Sequence, residues 1–103
     1  MNAGLGGFKL RPVPPGKTLE AEMKARNLSA NALALKLRVP SNRISDIVRN
    51  KRAITAETAL RLARAFGTSP DFWLNLQTNY DLALAACDQG ATIEKEVEIL
   101  ADA

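Results

Sequence analysis

The chain has 103 residues, 47% hydrophobic and 24% charged, enough for one compact domain and too few for two ordinary ones. With no histidine and a single cysteine, Cys87, it cannot assemble a zinc cluster, an internal disulfide, a Cys–His pair or a serine triad, so neither catalysis nor a cofactor is expected. The net charge of +3 hides a gradient: residues 36–64 hold eight cations against Asp46 and Glu57, whereas residues 65–103 hold Lys95 against seven carboxylates.

A basic middle third attracts polyanions, and nucleic acid is the commonest such partner; the competing reading is a solvated charged face, so charge needs a geometric argument beside it. The lone cysteine fits a reducing compartment, and Cys87 is read as filling a helix face rather than as a reactive thiol. No apolar run approaches the roughly 20 residues that span a bilayer, and the N-terminus lacks the order of a signal peptide. A cytoplasmic protein without a membrane partner is expected.

Residues 1–16 contain Gly4, Gly6, Gly7, Pro12, Pro14, Pro15 and Gly16, too many breakers for regular structure, and read as a flexible arm. A first helix begins near Thr18, with Leu19 and Met23 on one face, and stops near Arg26 and Asn27, where asparagine takes the left-handed conformation. Ser29 caps a second helix whose buried stripe is Ala30, Leu33, Ala34 and Leu37. After Pro40 a short third helix runs from Ser41 to Arg49, with Ile44, Ile47 and Val48 inward and Asn42, Arg43, Ser45, Asp46 and Arg49 outward; Asn50 closes it. Thr55 caps a fourth helix, Glu57 favours its dipole, and Ala59, Leu60, Ala63 and Phe66 form its inner face before Gly67.

Ser69, Pro70 and Asp71 are a strong start for a fifth helix, which runs to about Ala86 with an apolar face of Trp73, Leu76, Tyr80, Ala83, Leu84 and Cys87. That face is long for a terminal helix, so part of it is expected to pack on a partner. Gly90 is read as a break, and Thr92 as the cap of a short acidic helix with Ile93, Val97 and Leu100. No strand alternation appears. The expected fold is all-α, with an arm at 1–16, a five-helix domain at 17–87 and an acidic tail or short helix at 88–103.

The short link between the second and third helices is the length a helix-turn-helix needs, and the small Ala34 suits the crossing point. Ser41, Asn42, Arg43 and Ser45 then lie where a recognition helix meets base edges: Arg43 suits guanine through its bidentate fork, and Asn42 suits adenine. Ser29 and Asn31, with Arg49, Lys51 and Arg52, are placed to hold phosphates. Each assignment has a plainer competitor. Ser29 and Ser41 are equally read as helix caps, Arg61 and Arg64 as solvated, and Asp46 as a residue that orients Arg43 or Arg49 rather than one that meets a cytosine amino group. One short helix makes few contacts, so a two-fold dimer on a palindromic double-stranded site is expected.

The run Leu28-Ser29-Ala30-Asn31-Ala32-Leu33-Ala34, then Val39-Pro40 to Arg43-Ile44, Ile47-Val48, Asn50-Lys51-Arg52 and Ile54 through Ala63, resembles the HigA family of antitoxins, of the lambda-repressor-like class of helix-turn-helix proteins. The stretch Phe66-Gly67-Thr68-Ser69-Pro70-Asp71-Phe72-Trp73-Leu74-Asn75-Leu76-Gln77 is its most specific part, and the likeness covers residues 15–85. The resemblance implies an antitoxin that binds an RNA-cleaving HigB-like toxin and represses its own operon. A stand-alone repressor without a toxin shares the same reading helix, and a nuclease finds no carboxylate cluster to support it. The chain departs from the pattern at Arg38 and Asn50, where glycine is usual, and at Pro14-Pro15-Gly16-Lys17, where the usual lead-in is histidine, proline, glycine and glutamate. A strained or reshaped turn is therefore expected at Arg38.

Overall fold

The structure is a computed structural model that describes residues 11–101; the expectations for residues 1–10, 102 and 103 lie outside it. Five helices follow one another: α1 (Pro15–Ala25), α2 (Ala30–Leu37), α3 (Ser41–Val48), α4 (Ala56–Phe66) and α5 (Pro70–Glu96). No strand occurs among the described residues, as the absence of alternation predicts.

Local chemistry sets most of the boundaries. Ser29, Thr55 and Ser69 each stand in extended backbone and accept an N–H from three residues on, from Ala32, Thr58 and Phe72 respectively. The first four helices end alike. A left-handed residue (Asn27, Arg38, Asn50, Gly67) is followed by one whose N–H donates five residues back, Leu28 to Met23, Val39 to Ala34, Lys51 to Asp46 and Thr68 to Ala63, at 2.7–3.1 Å. This closing bond satisfies carbonyls that the helix leaves orphaned. Only one of the four left-handed positions holds glycine. Arg38, at φ 62°, ψ 45°, carries a Cβ where roughly 1–2 kcal/mol of steric cost is expected, which is the strained turn the sequence implies.

The core is made of Leu19 and Met23 of α1, Leu33, Ala34 and Leu37 of α2, Ile44 and Ile47 of α3, Ala59, Leu62 and Ala63 of α4, Trp73 of α5, and Ile54 from the α3–α4 loop. Each fully buried isoleucine or leucine contributes about 1.5–3 kcal/mol relative to exposure. Trp73 is seated by a T-shaped contact with Phe72, ring centroids 5.0 Å apart, and by its Nε1–H, which donates to Thr68 Oγ1 at 2.8 Å, so its one polar group is not left bare.

Four sequence expectations are corrected. The first helix starts at Pro15 rather than near Thr18, because proline suits the first turn and both Pro15 and Gly16 are buried against the rest of the fold. On α4, Leu60 faces solvent at 59% exposure, while Leu62 and Thr58 are buried; both face choices have helical period, and contact with α2 and α5 selects the second. Helix α5 passes through Gly90 without breaking and ends at Glu96, so no separate acidic helix forms and Leu100 lies beyond it. A single helical glycine costs about 1 kcal/mol, and no left-handed stop accompanies it here. Cys87 and Leu84 are exposed, not part of the inner face, which continues instead through Ala83 and Gly90.

Candidate nucleic-acid interface

The short helix α3 divides cleanly. Ile44 and Ile47 are buried and Val48 is half-buried against the core, while Ser41, Asn42 and Arg49 are exposed and Ser45 is half-buried. Residues 41, 42, 45 and 49 therefore form one polar face of helical period, opposite the apolar one. Pro40 occupies the cap position and offers no side-chain acceptor. Ser41 is thus the first helical residue, not the cap, and Ser41 and Asn42 stand exposed at the N-terminal end of α3, where the Arg43 N–H donates to the Pro40 carbonyl at 2.9 Å. Ser45 donates its hydroxyl back to the Asn42 carbonyl at 3.4 Å.

At the start of α2, Ser29 is a cap: its Oγ accepts the Ala32 N–H at 3.0 Å. The hydroxyl proton is left to donate outward, so capping and an anion contact are compatible at this residue. Asn31 is exposed in the same first turn.

Arg43 is held more firmly than its neighbours. Its Nη1 lies 3.4 Å from Thr58 Oγ1 and 3.6 Å from Glu57 Oε1, both in the first turn of α4. Asp46, read from sequence as the orienting carboxylate for Arg43 or Arg49, makes no ion pair among the described residues; Glu57 takes that part for Arg43. Arg61, read as solvated, is also tied down: it donates Nε and Nη2 to Glu57 Oε2 and Nη1 to the Leu37 carbonyl at 2.8 Å, closing the C-terminal end of α2. The Arg61 guanidinium, then that of Arg43, holds the Glu57 carboxyl below its ordinary range.

Beyond α3, Arg49, Lys51 and Arg52 are all exposed, and the loop that carries them is anchored from behind by α5. Gln77 Oε1 accepts the N–H of buried Ile54 at 2.8 Å, and Asn50 Nδ2 donates to the Tyr80 hydroxyl at 2.8 Å. Sequence reasoning missed these supports. Their trace was visible: Gln77 lies one turn before Tyr80, which carries a hydroxyl in the apolar stripe read on α5 from sequence. Among the described residues, no cluster of three or more His, Cys, Asp or Glu suited to a metal occurs, and no helix is long and apolar enough to cross a membrane.

The helix-turn-helix family model HTH_3 matches residues 19–73, which include α2, α3 and α4 whole. The chain is 47% identical to virulence-associated protein I of Dichelobacter nodosus over 90 residues, 86% of this chain and 83% of that protein. Among solved structures, a HigA-family addiction module antidote protein from Coxiella burnetii superposes with a TM-score of 0.85 at 49% identity, covering 88% of this chain and 100% of the other. The Pseudomonas aeruginosa antitoxin HigA, solved with the higBA promoter, superposes with a TM-score of 0.84 at 45% identity, covering 87% and 99%.

Proposed function

Since the chain belongs to the HigA family of helix-turn-helix antitoxins, we propose that it binds a palindromic operator as a homodimer, represses its own operon, and neutralises a HigB-like ribonuclease toxin by direct binding. The observation that carries the DNA half is α3: one side of eight residues is sealed into the core, and the other offers Ser41, Asn42, Arg43 and Ser45 for base edges. Ser29, Asn31, Arg49, Lys51 and Arg52 flank that face as phosphate contacts, which set register and orientation while the bases set sequence. The activity is binding rather than chemistry.

Dimerisation follows from size and from α5. A single eight-residue reading helix discriminates little, and two of them related by a two-fold axis read half-sites about 34 Å apart. Helix α5 is 27 residues long, about 40 Å, and exposes Leu82, Leu84 and Ile93 on the part that extends past the core. A truncation after Ala86 that sediments as a full dimer would remove the tail from this interface. For the toxin, residues 88–102 hold five carboxylates, suited to a basic RNA-cutting partner.

The test is a pull-down from native extract with this chain as bait, together with a gel-shift on the DNA upstream of its own reading frame. A small basic ribonuclease recovered in stoichiometric amount supports the antitoxin role. Retained operator binding with no such partner would leave a stand-alone repressor.

A further inference from the structure

The geometry of the Arg43 side chain goes further than its assignment to a base, on which the following rests. Both contacts of Arg43 use Nη1, on Thr58 Oγ1 and Glu57 Oε1, while Nε and Nη2 have no hydrogen-bond partner among the described residues. Glu57 is itself held. Its other oxygen, Oε2, accepts Arg61 Nε and Nη2 at 3.2 and 3.0 Å, and Arg61 is fixed to the Leu37 carbonyl at the end of α2. Thr58 is buried and accepts a hydroxyl bond from Thr55 at 3.3 Å. A flexible arginine is thereby braced by a chain of contacts that runs from α2 through α4 to α3.

We infer that Glu57, with Thr58, is a positioning residue for base discrimination, holding the Nη1 side of Arg43 on α4 so that only the Nε–Nη2 edge faces outward. Guanine alone offers two adjacent acceptors, O6 and N7, to such a two-donor edge; adenine sets an amino group in the same place. An unbraced arginine is free to swing to a neighbouring phosphate, which binds DNA of any sequence. Glu57 also sets one negative charge on the basic face, so it trades general affinity for selectivity.

The experiment selects a preferred duplex from a randomised pool with the wild-type protein, then finds the base pair whose preference Arg43→Ala relaxes. Glu57→Gln is measured on that duplex, on the same duplex altered at that pair, and on an unrelated one. The 60% exposure of the Glu57 side chain makes the variant compatible with folding, which thermal melting checks. The expected result is at least a fivefold loss of discrimination at that one base pair, matching the low end of a bidentate arginine–guanine contact. Discrimination elsewhere is kept and binding to the unrelated duplex is tighter. Arg61→Gln shifts the same base pair in the same direction by a smaller factor. Unchanged discrimination in Glu57→Gln, or a uniform loss at every position, overturns the inference. If the wild type selects a sequence but Arg43→Ala relaxes no pair, the assignment of Arg43 to a base fails, and the inference with it; if the wild type selects nothing, operator reading itself fails.

Discussion

Gly16 of α1 lies directly on the backbone of Ile47 in α3: a Cβ at position 16 would sit 2.2 Å from the Ile47 carbonyl oxygen and 2.9 Å from Val48 Cα. Neither atom belongs to a side chain that can turn aside. This close approach lets the first helix brace the reading helix from its buried side, and a stretch that looks like an unstructured lead-in proves to carry a packing constraint.

Gly16→Ala is expected to destabilise the protein by about 2–3 kcal/mol, at the upper end of overpacking because backbone must move, even though alanine is the better helix former. Urea denaturation measures the loss, and operator affinity falls with it because α3 is displaced. A variant as stable as the wild type would show that α1 shifts freely.

Arg38→Gly is expected to stabilise. Relief of the left-handed strain, roughly 1–2 kcal/mol, outweighs the extra unfolded-state freedom of glycine, roughly 0.5–1 kcal/mol, for a net gain of about 0.5–1 kcal/mol. The melting temperature rises by several degrees while the helix-turn-helix angle is kept, since φ 62° lies inside the region glycine accepts. A drop in melting temperature would mean that the Arg38 side chain contributes more than its backbone costs.

Gln77→Leu removes the acceptor of the Ile54 N–H, a donor in a residue that is 2% exposed. The cost is about 1–3 kcal/mol for a buried donor left bare. Because the same loop carries Lys51 and Arg52, binding to DNA of all sequences is expected to weaken more than stability alone explains, read as a reduced slope of affinity against salt. Equal slopes in variant and wild type would separate the loop anchor from phosphate binding.

Stability depends on pH through Glu57. Its folded pKa lies below the ordinary 4.5, held down first by Arg61, so the ionised carboxylate contributes stability above about pH 4.5 and loses it as pH falls through the lower folded value. Glu57→Gln is therefore expected to be the less stable protein from neutral pH down to about 5, and the two proteins converge in stability below about pH 4.5. Melts at four pH values between 3 and 7 test this; a gap that persists at pH 3 would assign the difference to something other than the ion pairs with Arg61 and Arg43.

What the sequence by itself determined is the part of the fold written in short-range bonds. Ser29, Thr55 and Ser69 cap from three residues away, and Asn27 and Gly67 stop helices through bonds that reach five residues back, so each signal and its target lie in one stretch of chain. The inward Ile44 and Ile47 and the outward Ser41 and Asn42 follow equally from the helical period. The tertiary structure decided the rest. Leu60 and Leu62 both lie on helical faces of α4, and only contact with α2 and α5 selects Leu62. Gly90 lies inside α5 without ending it, Gly16 is tight only because α3 lies against it, and Arg43 finds Glu57 rather than Asp46. For these contacts the physical reason is the same: the partner lies on another element, 14 residues along the chain for Arg43 and Glu57 and 31 for Gly16 and Ile47, and no local pattern records where folding will bring it.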